Sequence, residues 1–196
     1  MKYEAKAWKE TEGACLRNFK EQAQIDSVNG ALALRSQIEK IIDQIWEEGF
    51  DGIYFIGIGG TYASSMQVEV YMRGRSKLPV FVENAAEFLT TGNKKFTSVV
   101  IISSVSGNTK EMVELVDRVH EKGAKVFSFI DNPGTILTQP NKQDYLIVYP
   151  MNEQLKFYMV ANYLMYKNGE FDDYDRYNKE MEANLADVLV QGEKDS

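Results

Sequence analysis

Three hydroxyls and a glycine crowd into six residues of this chain, Ser104-Val105-Ser106-Gly107-Asn108-Thr109, between an apolar run and a helical pattern. The first N–H groups of a helix have no intrahelical acceptor, and the helix dipole makes that end favourable for an anion. Ser104, Ser106 and Thr109 can each donate to such an anion, and a phosphate would suit the loop. A second reading uses the same residues locally: Ser106 or Asn108 caps the helix, and Glu111 completes a capping box. Capping accounts for one polar residue of the group, so both readings stand on these residues alone. Gly57-Ile58-Gly59-Gly60 is the other loop of interest, because glycine lets a backbone approach a ligand or turn with positive φ. It lacks the dinucleotide fingerprint, since Tyr62 stands where the third glycine belongs, and no Gly-Lys-Ser/Thr follows to make a P-loop. A plain tight turn would also explain it.

Both loops sit where strands give way to helices. Ile53-Tyr54-Phe55-Ile56 is a short β-prone run ahead of the glycine loop, and Tyr62 to Tyr71 reads as helix. Val80-Phe81-Val82 predicts a strand and Ala85 to Leu89 a short helix. Ser98-Val99-Val100-Ile101-Ile102 then leads into the hydroxyl loop as a continuously apolar strand, the mark of burial on both faces. Met112, Val113, Leu115, Val116 and Val119 form a helical stripe closed by Gly123, a plausible C′ residue. Ala124 to Ile130 and Tyr145 to Val148 supply two more strands. Upstream, Leu32, Leu34, Ile38, Ile41, Ile42 and Ile45 predict one amphipathic helix from Ile25 to Gly49, capped by Asp26 or Ser27. Alternating strands and helices imply right-handed crossovers, hence an α/β three-layer sandwich around a parallel sheet of about five strands. After Pro150, Leu155, Tyr158, Met159, Tyr163, Leu164 and Tyr166 make an aromatic helix that serves as core, as a dimer face or as a ligand wall, core or subunit contact being the commoner use of such a stripe. Residues 1–24, with Trp8 and Phe19, read as an arm, and a last helix is expected from Tyr174 to Val190.

Composition narrows the partners. A net charge of −7 over 196 residues repels a nucleic-acid backbone and an anionic membrane surface. No run approaches the roughly 18 apolar residues of a membrane span. A single cysteine, Cys15, and a single histidine, His120, offer neither a disulfide nor a metal cluster. A reduced, cytoplasmic setting and a domain without metal or cofactor are therefore expected. His120 lies in mid-helix, about three turns from the hydroxyl loop, and reads as a surface residue.

Ser104-x-Ser106-Gly107-x-Thr109 followed by a helix resembles the S-x-S-G-x-T phosphate loop of the sugar isomerase (SIS) domain family. The turn Ile58-Gly59-Gly60-Thr61-Tyr62 and the segment Val82-Glu83-Asn84-Ala85-Ala86-Glu87-Phe88 resemble the motifs that accompany that loop in the isomerase half of glucosamine-6-phosphate synthase. The likeness runs over roughly residues 27–190. It implies the flavodoxin-like arrangement of the family and a sugar phosphate as ligand, such as a fructosamine 6-phosphate or a hexosamine 6-phosphate. By that resemblance Ser104, Ser106 and Thr109 bind the phosphate with the N–H groups of Val105 and Gly107. Gly59, Gly60 and Thr61 form the second wall, and Glu153 borders the sugar. Glu153 also has a local reading, a carboxylate favouring its own helix dipole. Val105 departs from the glutamine of the synthase pattern, and Thr61 from a serine.

Aldose–ketose isomerisation and fructosamine cleavage need a base and an acid at the sugar carbons and ring oxygen. In two-domain relatives the resemblance assigns these roles to a glutamate and a histidine of a second SIS domain. No catalytic residue is assigned in this chain. The expectation is an SIS domain over 25–170, a helical linker over 171–196, and a second SIS domain beyond it, as in a fructosamine 6-phosphate deglycase or an amino-sugar-phosphate isomerase. A homodimer is expected as well. The alternative is a regulatory SIS domain that senses a sugar phosphate without turning it over.

Overall fold

Strands covered on both faces should be apolar at nearly every position, and the apolar runs Ile53–Ile56 and Val99–Ile102 lie side by side at the centre of the sheet. The computed structural model describes residues 22–91, 98–181 and 184. Five parallel strands, β1 (Ile53–Gly57), β2 (Val80–Asn84), β3 (Val99–Ser104), β4 (Lys125–Ile130) and β5 (Tyr145–Val148), pair in the order β2-β1-β3-β4-β5. Phe55 lies beside Val82 on one side and Ile101 on the other, and Ile101 lies beside Phe127. Every residue of β1 and β3 is buried, whereas edge strands β2 and β5 are only partly covered.

Alternate residues of each strand feed two separate cores. Ile53, Phe55, Ile101, Phe127 and Phe129 pack against α2 (Arg35–Glu48), α3 (Gly60–Arg73) and α6 (Glu153–Lys167). Tyr54, Ile56, Val100, Ile102 and Val126 pack against α4 (Ala85–Thr91) and α5 (Lys110–Glu121). The result is the three-layer α/β sandwich the alternation implied. From β1 the chain moves to one edge and from β3 to the other, so the sheet reverses direction between them. That reversal leaves a crevice at the carboxyl ends of β1 and β3, between the two loops singled out by composition.

Three local expectations change. The helix expected from Ile25 to Gly49 is two helices, α1 (Gln22–Leu32) and α2, separated by a turn at Ala33 and Leu34. Leu32 and Ile38 reach the same core, so the apolar spacing carries across the break and conceals it. Asp26 and Ser27 do not start a helix but lie inside α1. The Ser27 carbonyl accepts from Tyr149 Oη at 2.7 Å, and its Oγ accepts from Asn152 Nδ2 at 2.9 Å. Finally, β3 takes in Ser103 and Ser104, so the loop proper starts at Val105.

Gly123 ends α5 as expected, with φ +75, its N–H on the His120 carbonyl and that of Ala124 on Val119. Of the aromatic stripe on α6, Met159 and Leu164 enter the core together with Phe157, Val160 and Ala161, whereas Leu155, Tyr158 and Tyr163 are half-buried and Tyr166 is exposed. Tyr163 Oη donates to Asp43 and Tyr174 Oη to Glu39, tying α6 and a helical segment over 174–181 to α2. Burial first, and then the carboxylate partner, raises both phenols above the ordinary tyrosine value. The arm up to residue 21 and the helix expected beyond 184 lie outside the described residues. Among those described, no helix is long and apolar enough to cross a membrane, and no cluster of metal-binding side chains occurs.

Candidate functional site

The loop after β3 is built by its own polar groups. Ser104 Oγ, buried at the strand end, accepts the Gly107 N–H at 3.1 Å, and Ser106 Oγ accepts the Asn108 N–H at 3.2 Å. These bonds fold residues 104–108 into a tight bend that Gly107 completes with φ +63. A Cβ on Gly107 would stand 2.1 Å from Thr135 Oγ1, so the position needs glycine for both its backbone angle and its space. Asparagines then brace the loop from outside. Asn132 Nδ2 donates to the Val105 carbonyl at 2.7 Å, and Asn108 Oδ1 accepts the Ile136 N–H at 2.9 Å.

Local capping does not consume the hydroxyls. Thr109, rather than Ser106 or Asn108, is the N-cap of α5, and its side chain makes no capping hydrogen bond. Ser106 Oγ and Thr109 Oγ1 instead lie 3.1 Å apart at the surface. The three hydroxyls thus occupy the strand end, the loop and the cap, not the first helical turn that composition suggested. The positive end of α5, a helix of 12 residues, stands directly behind them.

Across the crevice, Gly59 takes φ +59 with ψ −123, a conformation that L side chains rarely adopt, and Gly60 starts α3. Thr61 closes this turn with its own hydroxyl, which accepts from Ile58 N at 3.1 Å and donates to Ile58 O at 3.0 Å. Between the loops lies a cleft of about 580 Å³. Gly60, Thr61, Ser104, Val105, Ser106 and Thr109 line it, so six of the nine residues expected at the site come together. Gly59 and Gly107 shape its walls through the backbone without lining it. Glu153 is not among the lining residues; it opens α6 after two consecutive left-handed residues, Met151 and Asn152. Ile58, Ser103, Met112 and Asn132 also line the cleft. Asn132 had a signal in the sequence, the turn-forming run Asp131-Asn132-Pro133-Gly134. No lining residue carries a charge, so the cleft offers neutral donors and a helix dipole to any anion.

His120 is far from this. It lies in the last turn of α5, partly exposed, with Nε2 3.0 Å from Asp144 Oδ2, which also accepts the Val126 N–H at 2.7 Å. That carboxylate sits just before β5, at the opposite end of the sheet from the cleft.

The SIS domain family model matches residues 50–166, the span from just before β1 to the end of α6. The glutamine–fructose-6-phosphate aminotransferase (isomerizing) of Methanococcus maripaludis is 30% identical over 103 residues, 53% of this chain and 17% of that protein. A candidate phosphosugar isomerase from Salmonella typhimurium superposes with a TM-score of 0.69 at 23% identity, over 79% of this chain and 50% of its own. The C-terminal domain of glucosamine-fructose-6-phosphate aminotransferase from Francisella tularensis gives 0.68 at 15%, over 84% and 51%. An Escherichia coli CFT073 protein in complex with A5P gives 0.65 at 16%, over 89% and 99%. This chain therefore spans less than a fifth of the curated relative and about half of two of the solved structures.

Proposed function

The chain belongs to the SIS domain family, and from that premise we propose that it binds a sugar phosphate in the cleft between β1 and β3. The phosphate rests on Ser104, Ser106 and Thr109 at the N-terminus of α5. The observation that carries this reading is the pair Ser106 Oγ and Thr109 Oγ1, 3.1 Å apart and unspent on capping, in front of a helix end. A phosphate oxygen between them would take two hydroxyl donors and the field of the helix together. The loop after β1, with Gly59, Gly60 and Thr61, closes the other side, and the A5P complex of the Escherichia coli neighbour supports a ligand of this class.

Turnover needs an acid and a base near the sugar, and the one histidine of the sequence pairs with Asp144 at the far end of the sheet. We therefore read this domain as the phosphate-binding half of a fructosamine 6-phosphate deglycase or amino-sugar-phosphate isomerase, its catalytic groups supplied by a second SIS domain. Glu153 then borders the sugar once that partner closes the cleft. We further propose a homodimer in which a second copy covers the exposed apolar surface of Met66, Val70 and Tyr158, where Val70 is 68% exposed; a monomer in light scattering overturns it.

Calorimetric titration with fructose 6-phosphate tests the ligand. Ser106→Ala and Thr109→Val should each weaken binding by about 1–3 kcal/mol, the scale of a charge-assisted hydrogen bond. Wild-type affinity in both variants refutes the cradle.

A further inference from the structure

Beneath the cleft lies a buried charge that the binding reading leaves unused. Lys156, on the second turn of α6, has no exposed surface, and its Nζ stands 3.5 Å from Oδ1 of Asp131, itself buried at the end of β4. This is an ion pair without a close hydrogen bond. The short bond of Lys156, at 2.9 Å, goes to the Tyr149 carbonyl, while the other oxygen of Asp131 accepts the Met151 N–H at 2.9 Å. Lys156 Nζ also sits 5.7 Å from the centre of the Phe129 ring. Burial lowers the Lys156 ammonium below the ordinary lysine value, and the charge of Asp131 pulls the other way.

Apolar residues of similar volume would hold such a site at least as well, because burying two charges offsets their attraction. The pair's distinctive effect is on the backbone. Asp131 donates its N–H to the Ser104 carbonyl at 3.2 Å, and its neighbour Asn132 holds the Val105 carbonyl. Through its side chain the same residue holds Met151, first of the two left-handed residues that set Glu153 at the head of α6. Left-handed angles are unfavourable for side-chain-bearing residues and persist where surrounding bonds impose them. Lys156 adds the Tyr149 carbonyl to that set. Three loop segments, after β3, β4 and β5, are thereby joined at one buried point.

We propose that Lys156 and Asp131 are positioning residues for the cleft, a buried pair that fixes the hydroxyl loop relative to the turn before α6. Sugar-phosphate affinity thus depends on the pair although neither residue lines the cleft. The inference rests on the binding reading above.

The test is fructose 6-phosphate titration and thermal melting of the whole chain as wild type, Lys156→Met, Asp131→Asn and the double variant. Lys156→Met strands a buried carboxylate and should melt well below wild type. The double variant removes both charges and should recover most of that loss, yet bind fructose 6-phosphate at least about tenfold more weakly, a change of about 1.4 kcal/mol. Asp131→Asn, which leaves Met151 only a weaker, neutral acceptor and Lys156 no charge partner, should weaken binding and speed amide hydrogen exchange at Met151. Wild-type affinity in either the double variant or Asp131→Asn overturns the proposal and leaves the pair purely structural. Absence of binding by the wild type instead overturns the cradle reading, and the two failures are distinct.

Discussion

The two loops that frame the cleft differ in what becomes of their hydroxyls. After β1, Thr61 spends its oxygen on its own turn, bonding both the N–H and the carbonyl of Ile58. After β3, Ser104 and Ser106 each accept one backbone N–H of the bend, yet Ser106 and Thr109 still face each other across 3.1 Å at the surface. One loop is a fixed wall; the other presents donors. Similar residue types therefore carry different roles according to how completely local geometry satisfies them, and substitutions should separate the roles.

The largest effect should come from Gly107→Ala, which attacks the presenting loop at its bend. The added Cβ must displace Thr135 and adopt φ +63. Overpacking and the left-handed penalty together should cost about 2–4 kcal/mol in folding free energy. Urea denaturation reads this directly, and a midpoint equal to wild type would show that the bend relaxes freely. Next come Ser106→Ala and Thr109→Val, which should leave the unfolding free energy from urea denaturation within about 0.5 kcal/mol of wild type while weakening fructose 6-phosphate binding as stated above. Thr61→Val should invert that pattern. It strips the partly buried Ile58 N–H of its acceptor and should cost about 1 kcal/mol of stability, with a smaller loss of affinity than Ser106→Ala. A Thr61→Val variant that binds worse than Ser106→Ala would erase the distinction between the loops.

Sequence carried much of this design. The buried strands announce themselves by uninterrupted apolar runs, and the crevice follows from their alternation with helices. Six of the nine residues expected at the site line the cleft: composition at the strand ends marks the glycine loop and the three hydroxyls, whereas Thr61 and Val105 follow from the family resemblance. Other features left no such trace. Helical spacing from Leu32 to Ile38 hides the turn at Ala33 and Leu34, because residues on both sides of it reach one core. Hydroxyl counts cannot reveal that Thr61 bonds itself. Nothing in the sequence singles out Lys156 within its aromatic helix, and it is the fold, with β4 paired to β5, that brings Asp131 and the Tyr149 carbonyl to it.

The smallest effect belongs to the opposite end of the sheet, which serves as the control for both loops. There Lys125 Nζ lies 2.5 Å from Glu48 Oε2, with each side chain 44% exposed, and Tyr145 Oη donates to the same glutamate at 3.1 Å. The hydrogen bond from Lys125 holds the Glu48 carboxyl below its ordinary 4.5, although partial burial opposes it. The same bond holds the Lys125 ammonium above its ordinary 10.5. A lowered carboxylate contributes stability above its unfolded value and loses it as pH falls through the folded one. A raised ammonium contributes below its unfolded value and loses it as pH rises through the folded one. The pair should therefore stabilise the fold fully between about 4.5 and 10.5 and fade outside that window. Solvent screening at such exposure limits the effect to a few tenths of a kcal/mol. Glu48→Gln should lower the unfolding free energy by that amount near neutral pH, flatten the decline in stability below pH 4.5, and leave fructose 6-phosphate affinity at the wild-type value. A change in affinity would mean that the two ends of the sheet are coupled, and that the division between a presenting loop and a fixed frame is drawn too sharply.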